Sequence, residues 1–86
     1  MAVKIEIYTK GYCPYCSRAK SLLDYKEVEY TEFRIDKQRE LRDVMIKRAD
    51  GGSTVPQIFI NDKHIGGCDD LVALEYAKKL DALLEK

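Results

Sequence analysis

Apolar and polar side chains alternate from Val3 to Tyr8, with Val3, Ile5 and Ile7 on one side and Lys4, Glu6 and Tyr8 on the other. That period of two predicts a first strand. After the turn Lys10-Gly11-Tyr12, the period changes. Cys16, Ala19, Leu22 and Leu23 fall on one helical face, and Ser17, Arg18, Lys20 and Ser21 largely on the other. Pro14 stands in the first turn, where its missing N–H costs nothing, and the helix is expected to end around Tyr25-Lys26. Glu29 to Ile35 is rich in β-formers and predicts a second strand; Leu41, Val44, Met45 and Ala49 predict a helix from about Gln38 to Ala49, closed by Gly51-Gly52-Ser53.

The remaining chain predicts a hairpin and a helix. Gln57 to Ile60 forms a third strand with proline confined to its start, Asn61-Asp62 is a turn, and Lys63 to Ile65 returns as a short fourth strand. After Gly66-Gly67, the residues Leu71, Leu74, Ala77 and Leu80 mark a last helix, with Asp69 and Asp70 in its first turn. A strict spacing of three drifts around a helix, so Leu83 and Leu84 are assigned to a separate last turn after Asp81. The order β-α-β-α-β-β-α predicts an α/β fold, a four-stranded mixed sheet flanked by three or more helices.

Composition narrows the class without naming the chemistry. Eighty-six residues suit a single domain, 1–86, with one modest core. Fifteen basic residues balance fifteen acidic ones, which gives no support for nucleic acid or an anionic membrane as partner. No apolar run reaches membrane-spanning length, and the charged N-terminal strand lacks the apolar stretch of a signal peptide, so the expected compartment is the cytoplasm. Three cysteines are too few, and odd in number, for a secreted disulfide scaffold.

The chemistry sits in Cys13-Pro14-Tyr15-Cys16, at the junction of the first strand and first helix. Two cysteines separated by two residues close a small disulfide ring reversibly. At a helix start, backbone N–H groups and the helix dipole favour a thiolate on the first of them. Cys13 therefore suits the attacking role; Cys16, on the face shared with Ala19, Leu22 and Leu23, suits the less accessible resolving role. A Cys-x-x-Cys near a βαβ pattern is a thioredoxin-like redox signature.

Together with Thr54-Val55-Pro56 and Gly66-Gly67-Cys68-Asp69-Asp70, the motif resembles the dithiol glutaredoxins, and the likeness runs from Ile5 to Leu84. That resemblance implies a thioredoxin-like fold. It also implies glutathione-dependent reduction of protein disulfides and of protein–glutathione mixed disulfides, with Cys13 as nucleophile and Cys16 as resolving thiol. Glutathione is then a reducing co-substrate with no bound cofactor and no metal, and disulfide-containing or glutathionylated proteins are the partners of a monomer.

The same resemblance marks a glutathione groove. Lys10 favours the Cys13 thiolate and meets a glutathione carboxylate, and Tyr15 flanks the tripeptide. Thr54 and Val55 lead into Pro56, whose peptide bond with Val55 is expected to be cis, leaving the Val55 main chain to pair with an extended substrate. Gly67, Cys68, Asp69 and Asp70 begin the last helix, where N–H groups suit the γ-glutamyl carboxylate and an aspartate suits its ammonium group. Arg42 is assigned to the glycine carboxylate, with Arg39 its equal rival on charge. Cys68 is a groove position outside the redox mechanism, and His64 is a surface strand residue. A different class of protein, a zinc module, would use Cys13, Cys16, His64 and Cys68 as ligands. A cluster shared between subunits is disfavoured by proline after the first cysteine, and a redoxin served by thioredoxin reductase is disfavoured by the two later motifs.

Overall fold

A computed structural model describes residues 3–85. Strand β1 (Ile5–Thr9) leads to helix α1 (Pro14–Tyr25), then β2 (Thr31–Arg34), α2 (Glu40–Arg48), β3 (Gln57–Ile60), β4 (Lys63–Gly66), α3 (Cys68–Tyr76) and α4 (Leu80–Leu83). The sheet order is β2-β1-β3-β4. β1 runs parallel to β2, with Glu6 opposite Thr31, and antiparallel to β3, with Ile5 opposite Ile60. β3 and β4 form the expected hairpin, and its turn residues Asn61 and Asp62 have φ of 50° and 68°, a conformation their short polar side chains tolerate. The expected mixed sheet is thus present, flanked by four helices.

Two apolar clusters sandwich the sheet. On one side Ile5, Ile7, Ile58 and Ile60 pack with Ala19, Leu23, Leu71, Leu80 and Leu84 from α1, α3 and the α4 end. On the other, Tyr8 and Phe59 pack with Met45 and Ala49, while Phe33, Ile35 and Val55 lie against them. Tyr8 is therefore not on a polar side of β1, as its alternation with Ile7 suggested. It is buried, stacked on Phe33 and edge-on to Phe59, because a central strand is covered on both faces. Arg48 closes this second cluster, its guanidinium 4.1 Å from the Phe59 ring centroid and donating to Tyr8 Oη at 2.9 Å and Glu6 at 2.8 Å.

The helix boundaries differ from the periodicity in two places. Residues 38–42 form tight turns, Leu41 N–H to Gln38 C=O and Arg42 N–H to Arg39 C=O, so α2 proper starts at Glu40. The last helical stretch breaks before Leu80, not after Asp81. Lys78 has φ of 60°, its N–H bonds the Glu75 carbonyl, and the Lys79 N–H bonds the Leu74 carbonyl. That is a Schellman cap, after which α4 carries Leu80 and Leu84 back into the first cluster. Lys26, at the end of α1, ties these pieces together by pairing with Glu75 and Asp81, each at 2.8 Å.

Candidate active site

The end of β1, the start of α1, the start of α3 and the loop before β3 converge on the cysteine pair. Asp36 holds the turn that precedes it, accepting from the Gly11 N–H at 3.1 Å while Arg34 grips the same carboxylate at 2.7 Å. That turn delivers Cys13 to the N-cap of α1, where its sulfur accepts the Cys16 N–H at 3.2 Å. A sulfur in that position meets both a backbone donor and the positive end of the helix dipole. The thiol also donates to the Val55 carbonyl at 3.9 Å. The sequence leads one to expect a Val55 carbonyl free for substrate; in the resting dithiol it instead accepts from the Cys13 thiol.

The two sulfurs differ in surroundings. Cys13 is half-buried at the rim, whereas Cys16 is 2% exposed. Burial pushes the Cys16 thiol up to about 12, the hydrogen-bonded contact with Cys13 adds to this, and the Lys10 main chain opposes it. Cys16 is consequently a proton-bearing thiol held behind an accessible one. All three cysteines are free.

Two clefts meet at Tyr15, Thr54 and Val55, and Cys13 lines the second of them. The first, about 460 Å³, runs along Pro56 to the α3 start at Gly67, Cys68, Asp69 and Asp70. The second, about 620 Å³, is lined by Lys10, Tyr12, Cys13, Arg42 and Ser53. Every expected groove residue therefore borders one of them. Arg42 lines the second cleft beside Lys10; Arg39 borders neither. The Val55–Pro56 peptide is cis.

Several residues do more than the sequence indicated. Asp70 accepts the Gly67 N–H at 3.0 Å, and a Cβ on Gly66 (φ 120°) would collide with the Asp70 carboxylate, so glycine is required there and Asp70 serves as helix cap. Asp69 is left facing the cleft. Gln57, nearly buried, donates to the Thr54 carbonyl at 3.0 Å and shares a 2.6 Å contact with His64 Nε2, fixing the groove floor to β4. A lone amide in an apolar strand was the available signal. His64 is exposed, as expected, but its ring lies tilted over Phe59 and lines the groove. Tyr12, assigned only to a turn, is 106% exposed with φ of 55° immediately before Cys13. The zinc set is not assembled: His64 pairs with Gln57, and among the described residues no three His, Cys, Asp or Glu side chains are grouped to hold an ion.

A half-buried thiol capping a helix, a fully buried thiol one turn later and a thioredoxin-like sheet define a thiol–disulfide oxidoreductase. The glutaredoxin family model matches residues 5–65. Glutaredoxin 3 of Escherichia coli is 57% identical over 81 residues, covering 94% of this chain and 96% of that protein. The solution structure of a glutaredoxin from Brucella melitensis superposes with a TM-score of 0.83 at 52% identity, covering 96% of this chain and 89% of the other. A buckwheat glutaredoxin–glutathione complex superposes with a TM-score of 0.87 at 33% identity, covering 94% and 76%. The chain belongs to the glutaredoxin family, whose members are glutathione-dependent thiol–disulfide oxidoreductases.

Proposed function

We propose that this chain reduces protein–glutathione mixed disulfides and protein disulfides with electrons from glutathione, through two routes that share Cys13. In the monothiol route the Cys13 thiolate attacks the glutathione sulfur of a mixed disulfide. A Cys13–glutathione disulfide forms, the protein leaves as a thiol, and a second glutathione displaces the first as oxidised glutathione. In the dithiol route Cys13 attacks a protein disulfide, and Cys16 then attacks Cys13, releasing the reduced protein and closing the Cys13–Cys16 bond. Two glutathiones reopen it.

The observation that carries this reading is the pair of clefts that meet at Tyr15, Thr54 and Val55, with Cys13 at the second of them. Lys10 and Arg42 supply cations for the glycine carboxylate on one side. On the other, the main-chain start of α3 and Asp69 suit the γ-glutamyl carboxylate and ammonium groups. The Val55 main chain lies between them, where an extended peptide brings its cysteine sulfur to Cys13. The buckwheat relative, solved with glutathione, supports the same ligand. Among the described residues no helix is long and apolar enough to cross a membrane. The chain is proposed to act as a monomer in the cytoplasm, a reducing compartment that keeps the pair as thiols.

Turnover of a glutathione mixed disulfide is measured with glutathione plus its NADPH-dependent reductase, and separately with thioredoxin reductase. Efficient turnover only in the first system is expected. Turnover only in the second overturns the glutathione assignment.

A further inference from the structure

The dithiol route requires Cys16 to give up a proton while buried under its substrate. A third cleft, about 450 Å³, runs from Cys13 past Cys16 to Lys20, Glu32 and Arg34. Cys16 and Lys20 are four residues apart on α1, so their side chains share one ridge. The Lys20 ammonium reaches Glu32 at 3.0 Å. Glu32 is itself fixed by the hydroxyl of Thr9, a fully buried residue, which donates to the same carboxylate oxygen at 2.6 Å.

Resting on the dithiol route proposed above, we infer that Lys20, anchored by Glu32, stabilises the negative charge that develops on the Cys16 sulfur as it resolves a Cys13 mixed disulfide. Lys20 is a positioning residue: it neither bonds to the substrate nor takes part in the exchange. When glutathione occupies Cys13, the Cys16 thiolate attacks the Cys13 sulfur, the Cys13–Cys16 bond forms, and the Cys13–glutathione bond breaks. Glutathione leaves as a thiolate and takes up a proton, while the Cys16 proton passes to water in the open cleft. No outside oxidant or reductant is consumed.

Other charges that face Cys16 are less suited to this task. Arg34 on β2 is held by Asp36 through contacts of 2.8 and 2.7 Å, which tie its guanidinium to the turn before Cys13 rather than to the α1 ridge. Lys10 borders the Cys13 side as well, where the substrate carboxylate competes for it. Glu32 opposes an anion on Cys16, but the Thr9 hydroxyl, and after it Lys20, stabilise its charge and hold it below the usual carboxylate range. Tyr12 also lines this cleft, whereas the buried Cys68 and the exposed Asp69 and Asp70 of α3 line the first cleft instead. Lys20 itself lowers the cost of ionising Cys16, partly offsetting the burial that raises it.

The test isolates ring closure. Protein carrying glutathione on Cys13 is prepared at low pH, and first-order release of glutathione is followed after a jump to a series of higher pH values. Closure in Lys20→Met should be roughly three- to tenfold slower, with the rate–pH profile displaced to higher pH. Lys20→Glu should be slower still, and Lys20→Arg close to the parent. In a Cys16→Ser background, Lys20→Met should leave deglutathionylation unchanged, since that route does not use Cys16. Equal closure in all four proteins overturns the inference, as does an equal loss in the Cys16→Ser background. If the parent itself releases no glutathione, the dithiol route fails instead.

Discussion

Cys16 donates its main-chain N–H to the sulfur of Cys13 across 3.2 Å. One residue thus meets the pair twice, its backbone N–H on the Cys13 sulfur and its thiol, in the proposed dithiol route, as the group that displaces what Cys13 captures. The two contributions are separable, because a side-chain substitution leaves the backbone donor in place.

Cys16→Ser should therefore keep deglutathionylation within a few-fold of the parent while abolishing reduction of protein disulfides by the dithiol route. Cys13→Ser should abolish both. Steady-state assays on the two substrate types check this, and loss of both reactions in both variants would overturn the assigned roles.

The same asymmetry governs reactivity and alkaline stability. At neutral pH, iodoacetamide should label Cys13 and spare Cys16 and Cys68, whose thiols burial pushes up; peptide mapping reads the labelled sites. Cys16 keeps its proton to about 12 in the folded protein, against 9.0 for an ordinary thiol. Above about 9 the unfolded chain binds fewer protons than the native one, so this contribution is complete below that pH and is lost as pH rises toward 12. The urea midpoint should fall over this range in the parent, and less steeply in Cys16→Ser.

Helix ends offer a separate test. Glu27, Asp50 and Lys78 occupy the left-handed position after α1, α2 and α3, with φ of 59°, 54° and 60°. Each closes a cap in which its N–H and the next one bond carbonyls of the last turn. A lysine there lacks the freedom of glycine, so Lys78→Gly should stabilise the protein by about 1 kcal/mol, a rise of roughly 4–8 °C in Tm. An unchanged or lower Tm would show that the α3–α4 break is held by something other than its cap.

These caps also explain what was legible in the chain. The strands and their order followed from alternation and turn residues, because Val3 to Ile7, Asn61-Asp62 and the Pro56 boundary carry local signals. A break in the last helix was legible from the drifting leucine spacing, but not its position, since no glycine marks Lys78 and the burial of Leu80 and Leu84 in the first cluster is a tertiary effect. Tyr8 was misplaced for a similar tertiary reason, as alternation cannot reveal a second layer packed on the far face of a central strand. At the site, the dithiol was readable from spacing and position. Gln57 and His64 were not, because their mutual contact depends on the register of β3 and β4.

The two aspartates at the start of α3 should separate ligand recognition from folding. Asp70 accepts the Gly67 N–H, so Asp70→Ala should lower Tm by about 4–8 °C through loss of the cap. Asp69 has an exposed carboxylate bordering the first cleft, so Asp69→Ala should leave Tm unchanged and raise KM for glutathione mixed disulfides several-fold. In the second cleft, Lys10→Glu and Arg42→Glu reverse the charges proposed to meet the glycine carboxylate and should likewise lower kcat/KM several-fold, while Cys13 is still alkylated. Exposed charge pairs contribute little individually, which is why inactivation is not expected from any one of them. Melting curves and glutathione-dependent turnover on the four variants provide the check. If Asp69→Ala, Lys10→Glu and Arg42→Glu all turn over like the parent, the tripeptide does not lie across these two clefts.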